Sequence, residues 1–191
     1  PSPDFNASVR INVDTFDVFT AYFFGAPDTD RITFSEINYK SDTVANAGDW
    51  VEIHNYGTTD MDLSGWMFKD GNDANVFTLP VNTKLNSGDY LVLCADSVLF
   101  STQHPGVSNF MGRFTFGLSA TGENLRFFDK SGLLRVSVAY SATPPWPADA
   151  SGTGKTLELL DPYGNLNNSV NWFSGCIGGS PGGAFNPCPV A

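Results

Sequence analysis

Basic residues are scarce in this chain. Ten lysines and arginines face twenty aspartates and glutamates across 191 residues, a formal net charge of −10. That balance leaves no basic stripe to displace the counterions of a phosphate backbone, which argues against nucleic acid as a partner. It argues equally against an anionic membrane surface, and it permits a cationic partner or a divalent cation. Long apolar runs are lacking too. No stretch of about 18 apolar residues is present, so no helical membrane insertion is expected. Charged residues of both signs make up only 16% of the chain, too few for a disordered chain or a coiled coil. With two histidines and no CxxC, zinc would find few ligands. The chain opens on Pro1, without an initiator Met or a signal-type apolar segment. This suggests a piece of a longer protein that has lost an N-terminal part.

Hydrophobic residues reach 41% and aromatics 14%, with sixteen phenylalanines, so a core can be buried. Their spacing has period two. Ile32 and Phe34 share a face in "RITFSEI". In "WVEIHN", Val51 and Ile53 point one way and Trp50, Glu52 and His54 the other. Leu125 and Phe127 pair in "NLRFFD", Leu134, Val136, Val138 and Tyr140 in "LLRVSVAY", and Leu157 and Leu159 in "TLELL". Such alternation marks half-buried strands, while "YLVLC" (Tyr90–Cys94), apolar on both sides, reads as a central strand. "NYGTTD", "KDGNDAN", "LNSGD", "DKSG" and "DPYGN" supply the turn chemistry between them. A helical pattern opens at Asp96 and is interrupted by Pro105. The spacing therefore predicts an all-β fold, a β-sandwich. Leu63 and Trp66 break the alternation and predict a bulge or bend at Ser64–Gly65. Residues 1–27 read as an N-terminal extension, either a first hairpin or the remnant of a preceding domain with a linker, and residues 28–191 as the sandwich domain.

Several stretches carry the look of chemistry. "DASGTGKT" (Asp149–Thr156) resembles a phosphate-binding loop but has Asp149 where the first glycine belongs. A strand-like segment follows it rather than the helix whose N–H groups would cradle phosphate, so we read a loop entering a strand. Asp70, Asn72, Asp73 and Asn75 cluster in one turn. Oxygen ligands so close together are a candidate Ca²⁺ site, although Asp and Asn also build turns by bonding their own backbone. "GLSATG" is one residue too long for a nucleophile elbow. His54 and His104 both read as solvated surface histidines. No segment singles out a carboxylate pair for glycoside hydrolysis; the acids of Asp49–Gly71 read as turn formers and solvated strand faces, with the outward Trp50, Glu52 and His54 either covered by residues 1–27 or left free for a partner. Trp66 reads as core. Trp146, in the proline-rich "TPPWPAD", is the candidate exposed platform for a sugar ring. Cys94 reads as a buried small hydrophobe. Cys176 and Cys188 flank the Gly/Pro-rich "CIGGSPGGAFNPC". A disulfide there would pin an apolar-poor tail and imply an oxidising compartment, and two free thiols are the alternative. Sequons at Asn6 and Asn167 matter only in a eukaryotic secretory pathway.

The order of the pieces carries a resemblance. "ITFSEINY", "DWVEIHNYGTTDMDLSGWMFKD", "VFTLP", "LNSGDYLVLC", "GLSATGENLRFFDKSGLL", "YSATPPWP", "GTGKTLELLDP" and "NWFSGCIGGSPGGAFNP" follow one another in a way that resembles the lamin tail domain, and more narrowly the bacterial secreted branch of that family. The likeness covers roughly residues 30–187. It implies an immunoglobulin-like β-sandwich with no catalytic residues and no cofactor. It also implies a non-catalytic interaction or spacer module of a larger secreted or surface protein, located outside the cell. The partner would be a protein or an extracellular glycan, with a carbohydrate-binding module as the alternative function. "VFTAYF" (Val18–Phe23) resembles the end of the module that often precedes such domains.

Overall fold

The computed structural model describes residues 31–185 and Cys188. The reading of residues 1–27 as an extension lies outside the described residues, as does the sequon at Asn6.

The strands are β1 (Ile32–Asn38), β2 (Trp50–Asn55), β3 (Met61–Asp62), β4 (Met67–Lys69), β5 (Val76–Thr78), β6 (Lys84–Leu85), β7 (Tyr90–Cys94), β8 (Phe110–Gly112), β9 (Gly122–Phe128), β10 (Leu134–Ser141), β11 (Lys155–Leu159) and β12 (Trp172–Ile177). They form a six-stranded sheet in the order β12-β11-β1-β2-β7-β8, a four-stranded sheet β10-β9-β4-β5, and a small β3-β6 ladder. All pairs are antiparallel except β7 with β8. The inner faces meet as a sandwich. Phe34, Ile37, Val51, Ile53, Leu91, Leu93 and Leu157 of one sheet close on Phe68, Leu125, Phe127, Val136 and Val138 of the other, all buried. The Phe34 ring stands edge-on to Phe68 at 6.2 Å and to Phe127 at 6.5 Å, an arrangement that adds to the gain from burial. This is the all-β, immunoglobulin-like sandwich that the alternation and the resemblance point to.

Two irregularities decide which side chains face where. In β1 the pairing with β2 runs Phe34↔Ile53 and then Glu36↔Glu52, so Ser35 is the extra residue of a bulge. The bulge reverses the parity of the strand. Ile32 and Phe34 face the core before it and Ile37 after it, while Glu36 turns to the outer face. In β10 the register slips between Leu134 and Val136. Leu134 therefore leaves the buried face on which strict alternation puts it and is 45% exposed. The bend expected at Ser64–Gly65 is a tight turn. Gly65 has φ +75 and the Trp66 amide donates to the Leu63 carbonyl at 3.0 Å. Only a residue tolerant of positive φ sits there cheaply, and the turn lets Leu63 and Trp66 both reach the core.

The outer face of the six-stranded sheet is covered as well. Helix α1 (Ser97–Gln103) begins at Asp96, whose carboxylate accepts from the Val98 and Leu99 amides at 2.8 and 3.0 Å, the usual N-cap solution for orphan donors. Its Phe100 drops onto Trp50 with ring centres 5.7 Å apart. Ala47, Trp50, Val92, Cys94 and Phe100 form a second, smaller core. Trp50 is thus buried on the outer side, and Cys94 is a buried free thiol in that cluster.

Candidate functional site

The outer face beside α1 brings three glutamates into one row. Cross-strand partners run Phe173↔Glu158, Glu158↔Glu36, Glu36↔Glu52 and Glu52↔Val92. Carboxylates on three adjacent strands therefore stand side by side. Like charges directly opposite one another destabilise a sheet, and here they are also buried. Glu36, Glu52 and Glu158 are 2%, 1% and 2% exposed. The sequence left Glu52 on an outward face, either solvated or covered by residues 1–27; among the described residues its side chain is covered by the tail.

The cover is the tail. Residues 178–185 leave β12 and cross the row as a strap. The Ser180 amide donates to Glu36 Oε1 at 3.2 Å, the Ser180 hydroxyl to Glu158 Oε2 at 2.7 Å, and the Gly182 amide to Glu52 Oε2 at 2.6 Å. From the sheet itself, Ser35 donates to Glu52 at 2.7 Å and Thr156 to Glu36 at 2.5 Å. The close approach depends on glycine. A Cβ on Gly175 would sit 1.7 Å from Glu158 Oε1, and one on Gly179 would sit 1.9 Å from Glu36 Oε1. The Cys176–Cys188 disulfide brackets the strap, and this resolves the alternative of two free thiols. Beside the strap lies a cavity of about 340 Å³ lined by the three glutamates, His54, Tyr90, Leu160 and Phe185 among others.

Burial sets the protonation of the row. It is the first cause that raises Glu36 well above its ordinary 4.5, with repulsion from Glu158 and Glu52 next. Burial likewise raises Glu52 to about 7 and raises Glu158. The donors from Ser35, Thr156, Ser180 and Gly182 pull the other way and are outweighed. Carboxyls with raised proton affinity are the type used in general acid catalysis, and here the strap's amides and hydroxyl each engage one carboxyl oxygen of the row.

A second feature stands at the end of the same sheet. His54 stacks on Tyr90 with centres 4.0 Å apart, Tyr163 meets Tyr56 edge-on at 5.1 Å, and the Arg31 guanidinium lies 4.8 Å from the Tyr163 ring centre. Tyr163 is 67% and Leu160 60% exposed.

The residues singled out in the sequence are dispersed. In the Asp70–Asn75 turn, Asp70 accepts from the Asn72 amide and the Asn75 side chain at 2.7 Å each, and Asp73 pairs with Arg126 at 2.8 Å. Their oxygens are engaged within the fold. Among the described residues, no group of three or more His, Cys, Asp or Glu side chains has metal-holding geometry. Trp146 is half-buried, 6.0 Å from the Trp172 ring and packed on the core. Asp149–Thr156 is a turn of 3-10 helix, a glycine loop and the start of β11. His104 sits at the end of α1 against Phe100 and Trp50, half-buried rather than solvated. The glutamate row escaped sequence reasoning because its members are 16 and 122 positions away from Glu36. The available signal was an acid at the centre of three strands in a chain whose tail is unusually rich in glycine.

The sandwich is an immunoglobulin-like domain of the kind used in protein interactions. The lamin tail domain family matches residues 26–174, and the chain belongs to that family. The strap lies beyond the matched span. Comparison with curated proteins finds no match.

Proposed function

We propose that this chain is a non-catalytic extracellular module through which a larger secreted or surface protein binds a protein partner or spaces its domains. The observation that carries the reading is the exposed Tyr163, packed on the half-buried Arg31 and Tyr56, with Leu160 exposed nearby in the chain. Tyr and Arg dominate interface hot spots, and loops at the end of a rigid sandwich are where such domains place their contacts. The disulfide supports an oxidising location. Family membership supports interaction over catalysis, and the internal engagement of the glutamate row supports the same choice. A carbohydrate-binding role would rest on Trp146, and a ring half-buried on Trp172 offers a smaller platform than a free loop tryptophan. The test is an array of extracellular proteins and glycans probed with the labelled domain. Protein binding that Tyr163→Ala weakens at least tenfold supports the reading. Glycan binding lost in Trp146→Ala and kept in Tyr163→Ala refutes it in favour of the carbohydrate module.

A further inference from the structure

We propose that the strap, residues 178–185, is a lid that opens and closes over the Glu158–Glu36–Glu52 row, with closure tied to protonation of that row and to the Cys176–Cys188 bond. The argument begins with what holds the strap down. Its sequence, "GGSPGGAF", offers little apolar surface, and Phe185 is 40% exposed where it meets the Phe173 ring at 4.5 Å. With that one ring contact as its main apolar anchor, docking rests largely on polar contacts. One set is backbone bonding at its root, Gly178 to the Gly154 carbonyl at 2.6 Å and Gly179 to the Cys176 carbonyl at 3.0 Å. The other is the three donors to the row, from the Ser180 amide, the Ser180 hydroxyl and the Gly182 amide. Segments bound this way open at low free-energy cost relative to core strands.

The closed lid excludes water from three carboxyls that neighbour one another. Among the described residues, no lysine or arginine lines the cavity to compensate them. The other titratable groups there are His54 from β2 and Tyr90 from β7, and His104 faces Gly178 at the strap's root. An open lid lets water solvate the row, so the closed state binds protons more tightly than the open one. This is the sense of the raised proton affinity of all three glutamates. By linkage, raising the pH from the ordinary carboxyl value of 4.5 through about 7 for Glu52 moves the lid toward open, and Glu36 and Glu158, also raised by burial, act in the same direction. The effect is up to about tenfold per titrating carboxyl per pH unit. The disulfide closes a loop with a sequence separation of 12 and so limits the open ensemble. Reduction by an added dithiol, which leaves two protein thiols and the oxidised reagent, raises the open population on the order of a hundredfold.

Amide hydrogen exchange of the full chain tests this, with protection of the Gly179, Ser180 and Gly182 amides followed at pH 5.5, 7 and 8.5, corrected for intrinsic rates, in oxidised and reduced protein. The β7 amides of Leu91–Cys94 report global unfolding. The lid predicts strap protection below that of β7 at every pH, a fall of at least tenfold from pH 5.5 to 8.5, and a further fall on reduction. The double variant E36Q/E52Q reduces the pH dependence to the share of Glu158, and the triple variant E36Q/E52Q/E158Q flattens it. S180A, which removes one strap donor and leaves the core intact, lowers strap protection without changing that of β7. Strap and β7 protection that coincide, protection unchanged by pH or by reduction, or a pH slope undiminished in E36Q/E52Q and retained in the triple variant overturns the proposal.

Discussion

Replacing Glu52 by glutamine should make the domain less sensitive to alkaline pH. Glu52 is 1% exposed, and burial lifts its proton affinity from 4.5 to about 7. A folded-state value above the unfolded one means that the folded protein holds the proton more tightly. Its contribution is therefore fully present below 4.5 and is lost as pH rises through about 7. That span, at about 1.4 kcal/mol per pH unit, comes to about 3 kcal/mol. Glutamine keeps one oxygen for the Gly182 amide that donates at 2.6 Å and cannot ionise. Urea unfolding of both proteins from pH 5 to 8.5 provides the assay. The wild type should lose about 3 kcal/mol relative to E52Q across that range, with most of the change between pH 5 and 7.5. His54 and His104 are held below their ordinary values by burial, which adds stability as pH rises toward neutrality. Both residues are common to the two proteins, so they cancel in the comparison. A constant difference between the two curves, or a wild type that gains on the variant as pH rises, would refute the reasoning.

Other perturbations follow from the same packing. Phe100→Ala empties a fully buried site over Trp50 and should cost about 3–5 kcal/mol in chemical denaturation, with near-ultraviolet circular dichroism reporting the freed Trp50. Gly175→Ala places a methyl 1.7 Å from Glu158 Oε1. It should destabilise by about 1–3 kcal/mol through displacement of the carboxylate, read as a lower urea midpoint. Asp96→Ala removes the acceptor for the Val98 and Leu99 amides and should cost about 1 kcal/mol, again by urea titration.

The sequence reads well where one rule governs one residue. Alternation finds the core faces of β2, β9 and β11. Asp96 followed by a helical pattern finds α1, and the broken spacing from Leu63 to Trp66 finds the turn at Gly65. It reads poorly where a register shift intervenes. The bulge at Ser35 turns Glu36 outward and the slip in β10 exposes Leu134, and neither is visible without the partner strand. The site is harder still. Each glutamate alone looks like a solvated strand residue, and only the pairing of β11, β1 and β2 makes a row of them. Trp50 and His104 show the same effect, because a helix distant in sequence from β2 covers the one and leaves the other half-buried.

The disulfide has a mechanical consequence. β11 runs antiparallel to both β1 and β12, so β1 and β12 point the same way. A pull entering at Ile32 and one leaving at Ile177 act at opposite ends of the sheet. They load the β1–β11–β12 ladders in shear, where many hydrogen bonds resist together, rather than peeling them one at a time. Tension applied at Cys188 passes through its sulfur to Cys176 on β12 and never reaches residues 178–185. The strap is thereby taken out of the load path, and a chain under tension can keep its glutamate row covered.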